Sequence, residues 1–443
     1  MHTIQFYAIN LAGVFVDGPF DVDALVERGS QILSKRGRWL RPLAKRLAKT
    51  FGDRIRPRKS DVVSFLLADQ GFRNAYQNGR FKFSSLLRPA PEMVAPAVTT
   101  TWQAPLNLRT PQDLSHWLDL KPGELAWFSD RRQLEAKQNK PKLQHYRYRL
   151  LPKRPGEFRL IEAPKPRLKT IQRRILKDIL NHLPPHDASH GFRCGRSISS
   201  FARPHIGREV VLKMDLQDFF PSIRAAQVQA IFRSLGYPDC VADLLTGLCT
   251  NSAPTEIWNA LDHAPPAKIQ YKIRRYARPH LPQGAPTSPV LANLCAFRMD
   301  SRLAGLARKM NASFTRYADD LAFSGDCEFA RICRRFSVHV AAIAMEEGYT
   351  VHYRKTKIMR KGVRQRIAGI VVNKRPNILR KDYDRLKAIL SNCVRTGPAS
   401  QNREGHDDFQ SHLAGRVSFV EMIHPDRGRK LRAILEQIDW TVS

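Results

Sequence analysis

Two aspartates side by side at the tip of a β-hairpin constrain this chain more than any other feature. They lie in Ser313-Phe-Thr-Arg-Tyr-Ala-Asp-Asp-Leu-Ala-Phe-Ser324. Apolar and β-favouring residues on both sides predict two strands with the acids at the turn. Adjacent carboxylates repel each other, and a fold tolerates that best when a cation neutralises both. A solvated acidic turn would account for a bare Asp-Asp pair. A third acid shifts the balance: Asp215 follows Val210-Val-Leu-Lys-Met214, an apolar run that predicts a buried strand. Two such strands side by side bring three carboxylates together, which is what holding two Mg²⁺ ions for in-line nucleotidyl transfer requires.

The chain has 443 residues, enough for two or three domains and a sizeable core. It carries 74 Lys and Arg against 40 acids, a formal net charge of +34. That excess predicts a polyanionic partner, nucleic acid before all others. No long apolar run supports a membrane partner, and Met1-His-Thr-Ile-Gln-Phe6 lacks the pattern of a signal peptide. The cysteines at 194, 240, 249, 295, 327, 333 and 393 form no CxxC pair and no zinc spacing. They read as isolated thiols in a reducing compartment, which places the protein in the cytoplasm.

Residues 1–87 read as a basic, mainly helical N-terminal extension. In it Arg36, Arg38, Arg41, Lys45, Arg46 and Lys49 alternate with Trp39, Leu40, Leu43, Leu47 and Phe51. This is the pattern of a basic amphipathic helix. Its polar face is either solvated or a contact for RNA, with Arg36, Arg38, Arg41, Lys45 and Arg46 as the candidates. Residues 88–109, rich in Pro, Ala and Thr, read as a linker. Thr110-Pro-Gln-Asp113 has the N-cap, first-position proline and early acid of a helix start. Further on, the pattern predicts two strands around Pro155-Gly156, a basic helix from Leu168 and a strand at 210–215. Then come helices over 225–250, a polar insert to about 280, a helix over 328–347 and strands near 350–372. From Arg380 it is helical, with a loop at Gly397–Gly405.

Four motifs stand in one order along the chain. They are His190-Gly-Phe-Arg-Cys-Gly-Arg-Ser-Ile198, Val211-Leu-Lys-Met-Asp-Leu-Gln-Asp-Phe-Phe-Pro-Ser-Ile223, Leu281-Pro-Gln-Gly-Ala-Pro-Thr-Ser-Pro-Val-Leu-Ala-Asn293 and Tyr317-Ala-Asp-Asp320. Together they resemble the reverse transcriptases, most closely the bacterial retron type, over roughly residues 110 to 435. The resemblance implies an α+β right-hand polymerase fold: fingers over 110–209, a palm with an antiparallel sheet over 210–379 that carries the insert 240–280, and a helical thumb over 380–443. A mainly helical N-terminal domain precedes them. It implies an RNA-directed DNA polymerase that copies a structured cognate noncoding RNA, serving as template and primer, from dNTPs. The product would be single-stranded DNA or an RNA–DNA hybrid, made in antiphage defence beside a separate effector protein.

Residue by residue, the resemblance implies that Asp215, Asp319 and Asp320 bind two Mg²⁺ ions. Phe220, five positions after Asp215, would pack beneath the incoming sugar and exclude a 2′-hydroxyl. Gln283 and Gly284 would contact template and nucleotide, and Lys153 and Arg159 the triphosphate. Tyr317 would support the primer end. Lys355, with Lys357 as the near alternative, would protonate the leaving pyrophosphate. Asp218 reads as a turn or cap acid, and Phe219 as core. Two segments depart from the retron pattern. Phe201-Ala202-Arg203-Pro204-His205 stands where those enzymes carry Asn-Ala-x-x-His. Ile367-Ala368-Gly369 stands where they carry Val-Thr-Gly. His205, Ile367, Ala368 and Gly369 are the expected RNA contacts there. These departures leave open a divergent retron or another defence-associated reverse transcriptase, and a group II intron-like reverse transcriptase and maturase is the alternative within the wider family.

Overall fold

The structure, a computed structural model, describes residues 3–16, 20–33, 37–52, 57, 59–79, 105–138, 140–152, 158–260 and 266–440. The chain divides into two compact units, Met1–Ser129 with Gln229–Thr246 and Asp130–Val228 with Gly247–Ser443. The expected boundary at residue 110 therefore falls inside the first unit, and most of the expected linker, 88–104, lies outside the described residues.

In the first unit, helices Ile4–Phe15, Val22–Ile32, Leu40–Phe51, Lys59–Ala68 and Gln70–Gln77 share a core. Leu11, Phe15, Leu25, Leu43, Leu47, Leu66 and Phe72 are fully buried in it, each contributing about 2 kcal/mol relative to exposure. Thr3, Asp21 and Asp69 cap three of these helices by accepting from backbone amides. The basic amphipathic helix forms as the spacing predicts. Leu40, Leu43, Leu47 and Phe51 face inward while Arg41, Lys45, Arg46 and Lys49 are exposed. Arg46 holds Asp69 through two bonds of 2.6 and 2.9 Å, and Arg41 reaches Asp23 at 2.9 Å. Two of the cations expected on RNA thus have acidic partners within the unit. Arg38 and Lys45 are exposed, and Arg36 lies outside the described residues. Thr110 and Asp113 form a reciprocal capping box at the start of helix Pro111–Leu118.

The second unit begins with a hairpin of β1 (Tyr146–Pro152) and β2 (Phe158–Pro164), then helix Pro166–Asp178. Its centre is an antiparallel sheet in which β3 (Val210–Gln217) pairs on one edge with β5 (Asp320–Gly325), and β5 with β4 (Ser313–Tyr317). The other edge of β3 takes β6 (Thr350–Val351) and β7 (Lys357–Arg360). Side chains alternate across a strand, so the sheet has two unlike faces. One presents Leu212, Met214, Arg316, Leu321 and Phe323 to helices Phe297–Lys309 and Cys327–Glu346. The other presents Lys213, Asp215, Tyr317 and Asp320. The polar insert contains a helix, Pro266–Tyr276, whose Ile269, Ile273 and Tyr276 pack with Trp258 and Leu160. A small hairpin of β8 (Arg366–Ile367) and β9 (Ile370–Val371) leads to helices Arg380–Thr396, Phe409–Ile423 and Pro425–Leu435. These three pack around Leu386, Leu390, Leu413, Val417 and Leu431, and Ile367 and Ile370 belong to the same core.

His205 and Ile367 are both fully buried, so the RNA contacts expected of them are corrected. The reason is the sheet itself: His205 lies against the face of β4 and β5. Its Nε2 is 2.7 Å from Thr315 Oγ1 and its Nδ1 2.7 Å from Ser324 Oγ. Thr315 already donates its hydroxyl proton to the Phe201 carbonyl, so His205 donates from Nε2 and accepts at Nδ1. Burial, helped by the charge of Arg208, pushes this imidazole from 6.5 down to about 3. Between those values the unfolded chain binds the proton and the folded chain does not, so stability falls as pH drops through the window. This residue contributes a slope of up to about 1.4 kcal/mol per pH unit. Denaturant midpoints between about pH 4.5 and 7 should show a flatter slope for His205→Gln than for the wild type; equal slopes would contradict the assignment.

Candidate active site

The register of the sheet builds the site. Asp215 and Asp320 are direct cross-strand partners, and Tyr317 pairs with Asp320 so that Ala318 and Asp319 alone form the turn. Ala318 takes a left-handed φ of 54°, a conformation that costs a residue with a Cβ about 1–2 kcal/mol. Gly191 lies flat against it: a Cβ on Gly191 would stand 2.7 Å from the Ala318 nitrogen. The turn is tied to β3 by the Leu216 amide, which donates to the Asp319 carbonyl at 2.8 Å. The Asp215 carbonyl accepts from His352 at 2.7 Å, fixing the segment that carries Lys355.

Two lysines answer the three acids. Lys355 Nζ lies 2.9 and 3.1 Å from the Asp215 oxygens. Lys213 Nζ lies 2.9 and 3.0 Å from those of Asp320. Burial, then the charge of Asp215, raises the Asp319 carboxyl above the usual carboxylate range. Burial also raises Asp320, against the pull of Lys213. Hard oxygen donors held together and pushed up by desolvation and mutual repulsion are the donor chemistry a divalent cation satisfies. Among the described residues, however, no three His, Cys, Asp or Glu side chains stand as a set arranged to hold an ion. Asp215 and Asp320 are each turned onto an ammonium group.

These residues open onto a cavity of about 510 Å³. Asp215, Asp319, Asp320, Lys355, Arg159, Phe220, Gln283 and Tyr317 all line it, as does Ala368. The Phe220 ring, in the short helix Phe219–Ser222, is 6.0 Å from Phe192 and 5.7 Å from Phe219. Phe219 is buried and packs on Tyr349. The Tyr317 ring rests between Phe201 and Phe192. Gln283 is held by its carbonyl, which accepts from Glu162 of β2 at 2.9 Å. Gly284 serves that same approach: its φ is 135°, and a Cβ there would meet the Glu162 carbonyl oxygen at 2.9 Å. Lys357 is exposed on β7 and does not line the cavity. Ala368 and Gly369 form the β8–β9 turn with φ of 43° and 87°. Lys153 lies outside the described residues.

Several groups at the site carry sequence signals outside the four motifs or unused by them. Lys213 lies two residues before Asp215, hence on the same strand face, and the period of a strand carries that signal. The insert helix contributes Ile269, Tyr271, Lys272 and Tyr276, and its apolar spacing of three and four was legible within a segment read as merely polar. Lys272 reaches Asp218 at 2.6 Å. Asp218 starts the Phe219 helix with a φ of 48°, so its reading as a turn acid gains a partner and a place in the cavity.

Residues 151–385 match the reverse transcriptase (RNA-dependent DNA polymerase) family, and the chain belongs to that family. It is a divergent retron-type enzyme, an RNA-directed DNA polymerase with the polymerase fold of the group and its general dependence on divalent metal. It is 40% identical over 325 residues to the Retron Mx65 reverse transcriptase of Myxococcus xanthus, covering 73% of this chain and 70% of that one. It is 35% identical to the Retron Mx162 reverse transcriptase of the same organism, over 76% and 68% of the two chains. It is 30% identical to the Retron Ec86 reverse transcriptase of Escherichia coli, over 64% and 77%. RNA and DNA are therefore its partners. Among the described residues no helix is long and apolar enough to cross a membrane.

Proposed function

We propose that this enzyme copies a structured cognate noncoding RNA into single-stranded DNA by nucleotidyl transfer supported by two Mg²⁺ ions, acting in the cytoplasm in antiphage defence beside a separate effector. One observation carries the chemical part: the three carboxylates, a cation on β2, an aromatic ring on the Phe219 helix and the Gln283 loop converge on one cavity. The chain's likeness to retron reverse transcriptases supports the biological part.

Asp215, Asp319 and Asp320 are the residues that would hold the ions. Ions bound there would supply Lewis-acid chemistry, lowering the pKa of a primer hydroxyl and neutralising charge on the triphosphate and leaving group. The remaining work falls to the chain. Arg159 offers a planar fork of donors to the triphosphate, with Lys153 six residues before it in the sequence as a second cation. Phe220 presents a ring with no hydrogen-bonding group where a 2′-hydroxyl would lie. Gln283 and the bare backbone of Gly284 meet template and nucleotide, and Tyr317 supports the primer end. Lys355, poised on Asp215 at 2.9 Å, is the ammonium that donates a proton to the departing pyrophosphate. Ala368 at the cavity's wall with its turn neighbour Gly369, and the exposed Arg38 and Lys45, are the remaining candidates for RNA contact. The net charge of +34 makes that binding steeply salt-dependent.

Three outcomes test this reading. Asp319→Ala with Asp320→Ala should abolish DNA synthesis by the purified protein while its unfolding midpoint stays near the wild-type value; retained polymerisation would sink the mechanism. Phe220→Ala should admit ribonucleotides in single-nucleotide extension assays, and an unchanged preference for dNTPs would remove its role as a gate. Sequencing of the nucleic acid that co-purifies with the protein from its own host should recover one structured RNA joined to DNA copied from it. RNA without DNA would refute the proposed product.

A further inference from the structure

Behind the Tyr-Ala-Asp-Asp turn, on the face of the sheet away from the cavity, sits a guanidinium that the polymerase reading does not use. Arg316 is fully buried. Such a charge is costly unless every part of it is met, and here every part is. Arg316 Nε and Nη2 each lie 2.7 Å from an oxygen of Asp300, itself fully buried on helix Phe297–Lys309. Nη2 also donates to Ser189 Oγ at 3.2 Å. Nη1 donates to Asn293 Oδ1 and to the Ala318 carbonyl, both at 3.1 Å. Five N–H groups thus have five acceptors, which uses the whole donor capacity of an arginine.

The fifth acceptor is the informative one. The Ala318 carbonyl belongs to the peptide joining Ala318 to Asp319, so the guanidinium grips the link that orients the Asp319 carboxylate. The other acceptors close a frame around the same turn. Ser189 donates to Asn293 Oδ1 at 2.9 Å, and Asn293 Nδ2 donates to the Gly191 carbonyl at 2.8 Å. Gly191 is the residue whose backbone lies against Ala318. The backbone of Arg316 is pinned on both sides, to Ala188 at 2.7 Å and to His190 at 2.8 Å. Ala318 holds a left-handed φ that an alanine does not choose, and such a conformation persists only where the surroundings over-determine it.

We propose that Arg316, locked by Asp300, Asn293 and Ser189, is a positioning residue that holds the strained Ala318–Asp319 peptide and thereby sets Asp319 for the divalent cation of the polymerase reaction. This rests on Asp319 serving as an ion ligand. Arg316 touches no substrate; it acts through the turn. Lysine keeps the charge but supplies three donors from one point, and cannot meet both Asp300 and the Ala318 carbonyl in fork geometry.

The test uses the full chain on a primed RNA template, reading kcat, the dNTP KM, the half-saturating Mg²⁺ concentration and the unfolding midpoint. For folded Arg316→Lys, kcat should drop about 100-fold, as displacement of a reacting group predicts. The half-saturating Mg²⁺ should rise about 10-fold, as loss of a ligand's support predicts, with dNTP KM little changed. The charge-free pair Arg316→Met with Asp300→Leu should recover the unfolding midpoint without recovering kcat or Mg²⁺ dependence. Wild-type kcat and Mg²⁺ dependence in either variant would reduce Arg316 to a structural ion pair and overturn the proposal. Should both fail to fold, Asn293→Ala keeps the ion pair and loosens the frame. A raised Mg²⁺ requirement in it supports the proposal, and an unchanged one overturns it. Polymerisation by the Asp319→Ala, Asp320→Ala protein would instead defeat the underlying ion-ligand reading, and so is told apart from failure of the positioning role.

Discussion

Like charges directly opposite each other on neighbouring strands repel, yet the pairing of β3 with β5 sets Asp215 across from Asp320. The catalytic half of the protein is organised around keeping that unfavourable pair in place. Five residue pairs from Val210 opposite Gly325 to Met214 opposite Leu321 supply the register, with Leu212 against Phe323 and Met214 against Leu321 on the buried face. A slip of one residue would turn every one of these side chains to the wrong face. Lys213 and Lys355 supply the opposing charge, one from within β3 and one from the turn after β6. The two facing acids are therefore neither free nor mutually bonded: Asp215 and Asp320 each have their own ammonium, and Asp319 sits beside Asp320 on a strained turn.

The sheet separates two tasks by face. Toward the cavity it shows acids, lysines and the ring of Tyr317. Away from it lie Leu212, Met214, Phe314 and Phe323, packed on long helices, with Phe314 and Phe323 stacked at 4.7 Å. The buried guanidinium of Arg316 is the exception on that apolar face, and its full set of partners is what makes the exception tolerable. The cavity's far side comes from elsewhere in the chain: β2 with Arg159, the loop of Gln283 that hydrogen-bonds to β2, and the insert helix with Tyr271 and Lys272. Glu162 ties these together. It is fully buried, with one oxygen 2.8 Å from Asn251 and the other 3.0 Å from His280.

Much of this was legible in the sequence, for definable reasons. Strand alternation and turn chemistry are local, so β3, the β4–β5 hairpin and the helix start at Thr110 could be read directly. The convergence of Asp215 with Asp319 and Asp320 needed a pairing of strands far apart in the chain, which the order of motifs suggested and the register bears out. What escaped was what depends on neighbours rather than on period. Nothing near His205 shows that Thr315 and Ser324 will cover it, so a histidine in a motif read as a surface contact. Ile367 had the same fate because its partners come from helices beyond Arg380. The approach of Gly284 to the Glu162 carbonyl likewise has no signal in its own motif, because its neighbour comes from β2. Nothing in the segment around Arg316 signals its role, because its acceptors Asp300, Asn293 and Ser189 lie elsewhere in the chain and its side chain points away from the face of Asp320.

The β8–β9 hairpin has a mechanical consequence. Ile367 and Ile370 are interior members of the core shared by the three C-terminal helices, while Ala368 between them lines the reaction cavity. The turn is only two residues long and both have positive φ, so it has little slack with which to absorb a shift of its flanks. The three helices therefore cannot rock without carrying one wall of the cavity with them. The packing of the helical bundle and the width of the cavity are, in this protein, set by the same short lever.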